Sequence, residues 1–127
     1  MANILLVEPD LLLGEVYKQF LETRHHQVYW KRTAESSVQL LDQAQIDLII
    51  LELQMAGHNG LEFLYEIRSY QDWIDTPVIV NTSIDSKLID VKLLKEQLGV
   101  TDFIHKSVSN LSKLDDVINM RLLRIKK

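Results

Sequence analysis

The chain has 127 residues, 46% of them hydrophobic and 25% charged, with a formal charge of −4. That length suits one domain with a real core, the balance reads as soluble and globular, and the acidic excess argues against a broad basic nucleic-acid surface. The sequence has no cysteine, which excludes disulfides and thiolate chemistry. No apolar run nears the roughly 20 residues of a bilayer span, and the start lacks the features of a signal peptide, so cytoplasmic residence is the default expectation.

Strand and helix patterns alternate five times along the chain. Ile4 to Val7 is a short continuous apolar run, the mark of a strand buried on both faces. Leu12, Val16 and Phe20, with Leu13 and Tyr17 offset, then recur at helical spacing through about Arg24. Val28 to Lys31 predicts a more polar, edge strand, and Thr33 can cap a helix whose apolar side includes Val38 and Leu41. Leu48 to Leu51 is the third strand, and Gly60 opens a helix carrying Leu61, Leu64, Tyr65 and Ile67. Thr76 and Pro77 lead into a fourth strand, Val78 to Val80, since proline is tolerated at a strand's start. Asp85 or Ser86 starts a helix that ends near Leu98, with Gly99 as the stop. Phe103 and Ile104 mark a fifth strand. Ser109 or Asn110 caps a last helix with the stripe Leu111, Leu114, Ile118, Leu122 and Ile125. This alternation predicts an α/β fold with an open parallel sheet covered on both faces.

In such a sheet the loops after the strands meet at one edge, where side chains leave the core for a crevice. Polar candidates follow four strands: Glu8 and Asp10, Glu52, Thr82 and Ser83, and Lys106. Carboxylates opposite a lysine and a hydroxyl suit a cation plus a phosphoryl group, because Mg²⁺ prefers hard oxygen ligands and lysine can hold phosphate oxygens. Each residue alone more often means a loop or a cap. Their joint placement at successive strand ends carries the reading.

With those motifs in order, the chain resembles the response-regulator receiver domain of two-component signalling over nearly all its length. Ile4 to Glu8 resembles the opening strand with its acidic turn, and Asp47 to Gly60 the phosphoacceptor strand and loop. Pro77 to Ser83 resembles the strand ending in the switch hydroxyl, and Gly99 to Lys106 the strand with an aromatic three residues before the lysine. The resemblance implies a single receiver-like domain over residues 1–127. It also implies a flavodoxin-like αβα sandwich, with a five-stranded parallel sheet in the order 2-1-3-4-5. In that family an aspartate accepts a phosphoryl group from a kinase histidine. Mg²⁺ is held there by that aspartate, the acidic turn and a backbone carbonyl. By position Glu52 stands for the acceptor, Gln54 offers the carbonyl, and Glu8 matches the first turn acid. Thr82 matches the hydroxyl that closes on phosphate, Phe103 the aromatic that follows it inward, and Lys106 the phosphate contact.

Four departures fall in or beside this pocket. Glu52 is one methylene longer than the usual acceptor, and Pro9 takes the second acidic position. Ala56 replaces a common loop proline. Ser107 replaces the proline after the lysine, where a cis bond would cost an ordinary residue about 3 kcal/mol, so a trans bond would re-aim Lys106. Mg²⁺ wants oxygens at roughly 2.0–2.1 Å in near-octahedral array, and misplacement by about 1 Å can change a rate about a hundredfold. The expectation is therefore an atypical receiver: a degenerate pocket of Glu8, Pro9, Glu52, Thr82 and Lys106, no active catalytic residue and no metal or cofactor. The alternative is a conventional phosphoacceptor that takes phosphoryl onto Glu52, with Mg²⁺ at Glu8, Glu52 and Gln54.

Two readings of Glu52 stand at this point: a direct ion pair with Lys106 that locks one conformation, or a carboxylate solvated at a loop mouth. Asp10 either reaches the cation site in place of Pro9 or caps the first helix, where aspartate suits the helix dipole. Partner binding is the work left to an inactive receiver. Leu88, Val91, Leu94 and Leu98 are expected as the core stripe of the fourth helix, leaving Ile89 and Leu93 toward solvent. Val117, Met120 and Leu123 form a second apolar row on the last helix. Together these five suggest a surface of the fourth helix, fifth strand and fifth helix for a signalling protein or a second copy. The opposing reading is extra core packing. No membrane or nucleic-acid partner is expected; a transcription factor is not expected from a chain ending near the fifth helix, which could act alone or be a fragment of a longer regulator. His25 and His26 lack a third ligand. His58 could tune the pocket's charge, although a solvated loop histidine is the plain expectation. The aromatic and basic run Tyr29 to Arg32 is too short for a groove. The cations Arg121, Arg124, Lys126 and Lys127 suit the dipole at a helix end.

Overall fold

The computed structural model describes residues 2–55, 59–106 and 111–125. Five strands, β1 (Asn3–Val7), β2 (Gln27–Lys31), β3 (Leu48–Leu51), β4 (Val78–Thr82) and β5 (Val100–His105), form one sheet in the order β2-β1-β3-β4-β5. Every adjacent pair is parallel. The helices are α1 (Leu11–Thr23), α2 (Ala34–Gln43), α3 (Gly60–Arg68), α4 (Val91–Glu96) and α5 (Leu111–Ile125).

Alternation along the strands sends neighbouring side chains to opposite faces and so makes two cores. Leu5, Val7, Ile49, Leu51, Val78 and Val80 pack under α2, α3 and α4 with Leu41, Phe63, Leu64 and Leu94. Ile4, Leu6, Leu48, Ile50, Ile79 and Ile104 pack under α1 and α5 with Tyr17, Leu21, Leu114 and Ile118. The central strands β1, β3 and β4 are buried almost throughout, which is why they read as unbroken apolar runs.

The helices begin where short polar side chains can cap them. Asp10, Thr33 and Asn59 each accept a hydrogen bond from the amide three residues on. Asp10 is therefore the α1 cap. Between β4 and β5 the register slips at Val78, and the extra residue, Thr101, returns its hydroxyl to the Val78 carbonyl at 3.1 Å.

Three sequence expectations need correction. On α1 the buried face is Gly14, Tyr17 and Leu21, while Leu12 and Val16 are exposed. Trp30 takes the space above Gly14, so the helix turns its narrowest side inward. On α3 the core aromatic is Phe63, and Tyr65 faces solvent. The fourth helix is not one helix from residue 85. A 3-10 turn, Ser86–Leu88, is capped by Asp85, and α4 restarts behind Asp90, whose side chain accepts from Leu93. Aspartate bonds its own nearby amides and so interrupts a helix that hydrophobic spacing alone would continue. As a result Leu88 is 80% exposed, while Ile89, expected in solvent, packs against the core.

Candidate functional site

Four strand ends bring together the residues the sequence singled out. Continuing the alternation of β1 and β3 beyond Leu6 and Ile50 places Glu8 and Glu52 on the α1–α5 side. Both carboxylates are buried, at 2% and 3% exposure. Thr82 ends β4, fully buried, and Lys106 follows β5 with its amide bonded to the Thr82 carbonyl at 2.8 Å. Lys106 Nζ lies 2.5 Å from Glu8 Oε1 and 2.8 Å from Glu52 Oε1. The ammonium thus bridges two carboxylates that would otherwise repel across the crevice.

Glu52 takes more than the lysine. Its Oε2 accepts from the Thr82 hydroxyl and from the Gln54 amide, the latter at 3.1 Å. Its Oε1 accepts from the Ser83 amide at 3.1 Å and the Ser83 hydroxyl at 3.2 Å. The Gln54 side-chain oxygen in turn accepts from the same hydroxyl at 3.3 Å. The extra methylene of glutamate lets one carboxylate reach donors contributed by β3, β4 and β5.

Glu8 is held by fewer donors at its carboxylate but also through its backbone. Its amide donates to Lys31 O at 3.0 Å, and Trp30 Nε1 donates to its carbonyl at 2.9 Å. The second carboxylate oxygen accepts from the Asp10 amide at 3.1 Å. Arg32 Nε donates to the next carbonyl, that of Pro9, at 2.9 Å.

Burial raises the proton affinity of both carboxylates, and the donors decide the outcome. At Glu8 burial prevails over the Lys106 and Asp10 contacts, and its pKa lies above the ordinary carboxylate value. At Glu52 burial is outweighed by bonds from Lys106, Thr82 and Gln54, and the pKa lies below that value. Burial would depress Lys106, yet the two carboxylates win and raise it. The opposite shifts of the two acids have one cause: they share a lysine, and Glu52 has more additional donors. Glu8 is the acid that takes up a proton first.

Phe103 is half-buried against the core on the α2–α4 side. Asn81, paired with Ile104 across the ladder, is buried, and its Oδ1 has no hydrogen-bond partner among the described residues. Ile89 and Leu93 are half-buried and line a hollow of about 230 Å³ with Leu53, Leu61, Ile84 and Leu94. Val117 is half-buried against the core, whereas Met120 and Leu123 are exposed at 55% and 65%. Among the described residues no group of three or more His, Asp or Glu has metal-binding placement. Ala56, His58, Ser107, Ser109 and Asn110 lie outside the described residues, so the expectations resting on them are not carried further. A wider concavity of about 520 Å³ lies at the opposite, amino-terminal edge of the sheet, among Leu41, Ile46, Trp73 and Thr76. None of the charged strand-end residues lines it.

Sequence reading did not assign Trp30 or Arg32 to the site. Period-two alternation was the available signal: Val28 and Trp30 share one face of an edge strand beside β1, and Arg32 follows two positions on, just past the strand's end.

The family model for the response regulator receiver domain matches residues 4–119. The chain is 33% identical to the transcriptional regulatory protein MalR of Bacillus subtilis over 110 residues, covering 84% of this chain and 44% of that protein. It is 27% identical to the regulatory protein VanR of Enterococcus faecium over 125 residues, covering 98% and 52%. The chain thus spans about half the length of these curated relatives. Among solved structures, a signal receiver domain from Vibrio parahaemolyticus superposes with a TM-score of 0.86 at 29% identity, covering 98% of this chain and 92% of that one. The non-phosphorylated HemR receiver domain of Leptospira biflexa gives 0.76 at 28% identity, covering 98% and 94%. The fold is flavodoxin-like, and no described helix is long and apolar enough to cross a membrane. By its family match, its relatives at this identity and the strand-end carboxylates, hydroxyl and lysine, the chain belongs to the response regulator receiver family of two-component signalling.

Proposed function

We propose that this receiver is an atypical one, a signalling interaction module that works through protein contacts without a normal phosphorylation cycle. One observation carries the reading: the Glu52 carboxylate accepts from Thr82, Ser83 twice, Gln54 and Lys106. These are the donors that the family resemblance assigns to a bound phosphoryl group, or their neighbours. A glutamate that holds them itself makes a poor nucleophile, because attack on a phosphorus atom requires breaking charge-assisted bonds in a buried site.

The same contacts argue for a direction. Thr82 is drawn to Glu52 and Phe103 rests against the core, the placements that the resemblance links to phosphate binding. Glu52 in this reading is a built-in substitute for the phosphorylated acceptor, and the lock is set toward the signalling state.

The alternative, phosphorylation of Glu52 with Mg²⁺ at Glu8, Glu52 and Gln54, fits the donor set poorly. Both oxygens of each carboxylate already accept protein hydrogen bonds, and Pro9 supplies no second turn carboxylate. A hard divalent ion would compete with Lys106 for the same two carboxylates. We therefore assign no metal and no cofactor.

For partners, the reading points to a signalling protein or a second copy meeting α4, β5 and α5. Met120 and Leu123 stand exposed on α5, and Leu88 stands exposed before α4. Ile89 and Leu93 are half-buried near α4, and Val117 is half-buried on α5 against the other core. Exposure of the natural chain to Mg²⁺ and beryllofluoride, followed by amide NMR, tests the central reading. The spectrum is expected not to move, whereas the Pro9→Asp, Glu52→Asp double variant regains a response. For the surface, Met120→Glu with Leu123→Glu should abolish any self-association seen by sedimentation; association that survives both changes removes this face from the assignment.

A further inference from the structure

We infer that Trp30 on the edge strand β2 and Arg32, the residue just after its end, are positioning residues that clamp the Glu8–Pro9 turn and so aim Glu8 at Lys106. The inference rests on the locked-pocket reading above and names what holds its second carboxylate in place.

The turn is pinned at consecutive carbonyls. The Trp30 indole N–H donates to Glu8 O at 2.9 Å, and the Arg32 guanidinium donates to Pro9 O at 2.9 Å. Trp30 and Arg32 can do this together because each donates to one of two consecutive carbonyls of the turn, Trp30 from within β2 and Arg32 from just past its end. The parallel register that sets Val7 beside Lys31 brings both alongside the end of β1. Behind the indole, α1 offers Gly14, where an added Cβ would overlap Trp30 Cζ2. A glycine inside a helix is otherwise a cost, so its presence marks the space the ring needs. Pro9 has no N–H and a fixed φ, leaving its carbonyl as the turn's remaining polar contact.

These contacts leave Glu8 engaged at every polar atom: amide to Lys31, carbonyl from Trp30, one carboxylate oxygen to Lys106, the other to the Asp10 amide. Where the turn sits fixes where the carboxylate points. The aromatic and basic run from Tyr29 to Arg32, too short for a nucleic-acid groove, thereby finds a use in two of its members. Preorganisation of this kind acts through a neighbour: both side chains donate to carbonyls of the turn, and the turn carries the carboxylate.

The test replaces Trp30 by β-(3-benzothienyl)alanine, which keeps the ring's size and packing and lacks the N–H, alongside Arg32→Met at an exposed position that leaves the core untouched. In each chain the Glu8 and Glu52 side-chain carboxyls are titrated by carbon NMR, and the Lys106 ammonium is followed by its hydrogen exchange. In the natural chain the ammonium is expected to exchange slowly. Loss of either clamp donor should raise the Glu8 midpoint by on the order of one pH unit, as its contact with Lys106 loosens, and speed exchange at Lys106. The Glu52 midpoint should move much less. A purely packing role would leave Glu8 unmoved in the isosteric variant; an unchanged Glu8 midpoint and unchanged Lys106 exchange in both variants overturn the inference. Formation of an acyl-phosphate on Glu52 would overturn the proposed function instead, and it is read by a separate assay.

Discussion

Replacing Lys106 by methionine removes the cation and keeps most of the side chain's length. Lys106 is 12% exposed and the carboxylates it joins are 3% and 4% exposed at their side chains, so the triad lies close to the interior limit. Removing one partner from a buried ion pair costs about 3–5 kcal/mol, because a charge is stranded. Here two carboxylates would be stranded together. Part of that cost is recovered by protonation, and Glu8, already shifted upward, is the acid that would take the proton. A net loss of about 3 kcal/mol at neutral pH is expected on that basis. In the variant the folded-state pKa of Glu8 rises further above its unfolded value, so the native state binds more protons than the unfolded one. Stability must then rise as pH falls through that window, by up to about 1.4 kcal/mol per pH unit. Urea denaturation of both chains at neutral and mildly acid pH measures this. A loss below about 1 kcal/mol with no pH dependence would mean that the lysine behaves as a surface charge, and the buried triad would be refuted.

Other expectations follow from the same contacts. Gly14→Ala would ordinarily stabilise a helix by about 1 kcal/mol; the indole above it should reverse the sign, to a loss of about 1–3 kcal/mol by thermal or urea denaturation. Thr82→Ala should cost about 1–3 kcal/mol by leaving a Glu52 oxygen short of a donor, while Thr82→Ser should cost much less. Arg68 donates to the carbonyls of Trp73, Ile74, Leu98 and Gly99, tying the end of α3 to the end of α4. Arg68→Ala should therefore destabilise by about 2 kcal/mol or more, since bonds to a charged donor are lost at several carbonyls. At alkaline pH the natural chain should lose stability as pH rises through the raised folded-state pKa of Lys106, the stabilisation being complete below its unfolded value. In acid, Glu52, lowered on folding, loses its contribution as pH falls, whereas Glu8, raised on folding, works in the other direction.

The sheet was legible because its central strands are short unbroken apolar runs, and the strand-end acids, hydroxyl and lysine were legible because each follows such a run directly. The inward face of α1 was not. Leu12, Val16 and Phe20 keep perfect helical spacing, but the face that packs is set by Trp30 across the gap, a tertiary fact that a local period cannot contain. The break before α4 was written locally, in Asp85 and Asp90, yet hydrophobic spacing from Leu88 to Leu98 masks it. At the site, the residues could be named from their positions. Which oxygen meets which donor depends on how far one extra methylene reaches, and this only the folded geometry gives. Trp30 and Arg32 were missed for a related reason: each acts on a carbonyl of another strand's turn, and backbone acceptors leave no trace in a list of side chains.

In the proposed reading, Glu52 already occupies the donors a phosphoryl group would need. That reading is tested most directly by incubating the natural chain with Mg²⁺ and a small-molecule phosphoryl donor, then reading the intact mass and mapping any acid-stable, hydroxylamine-sensitive modification. The expected mass is that of the unmodified chain throughout, with the Pro9→Asp, Glu52→Asp variant as the positive control. An acyl-phosphate on Glu52 of the natural chain, formed as readily as in that control, would contradict the account.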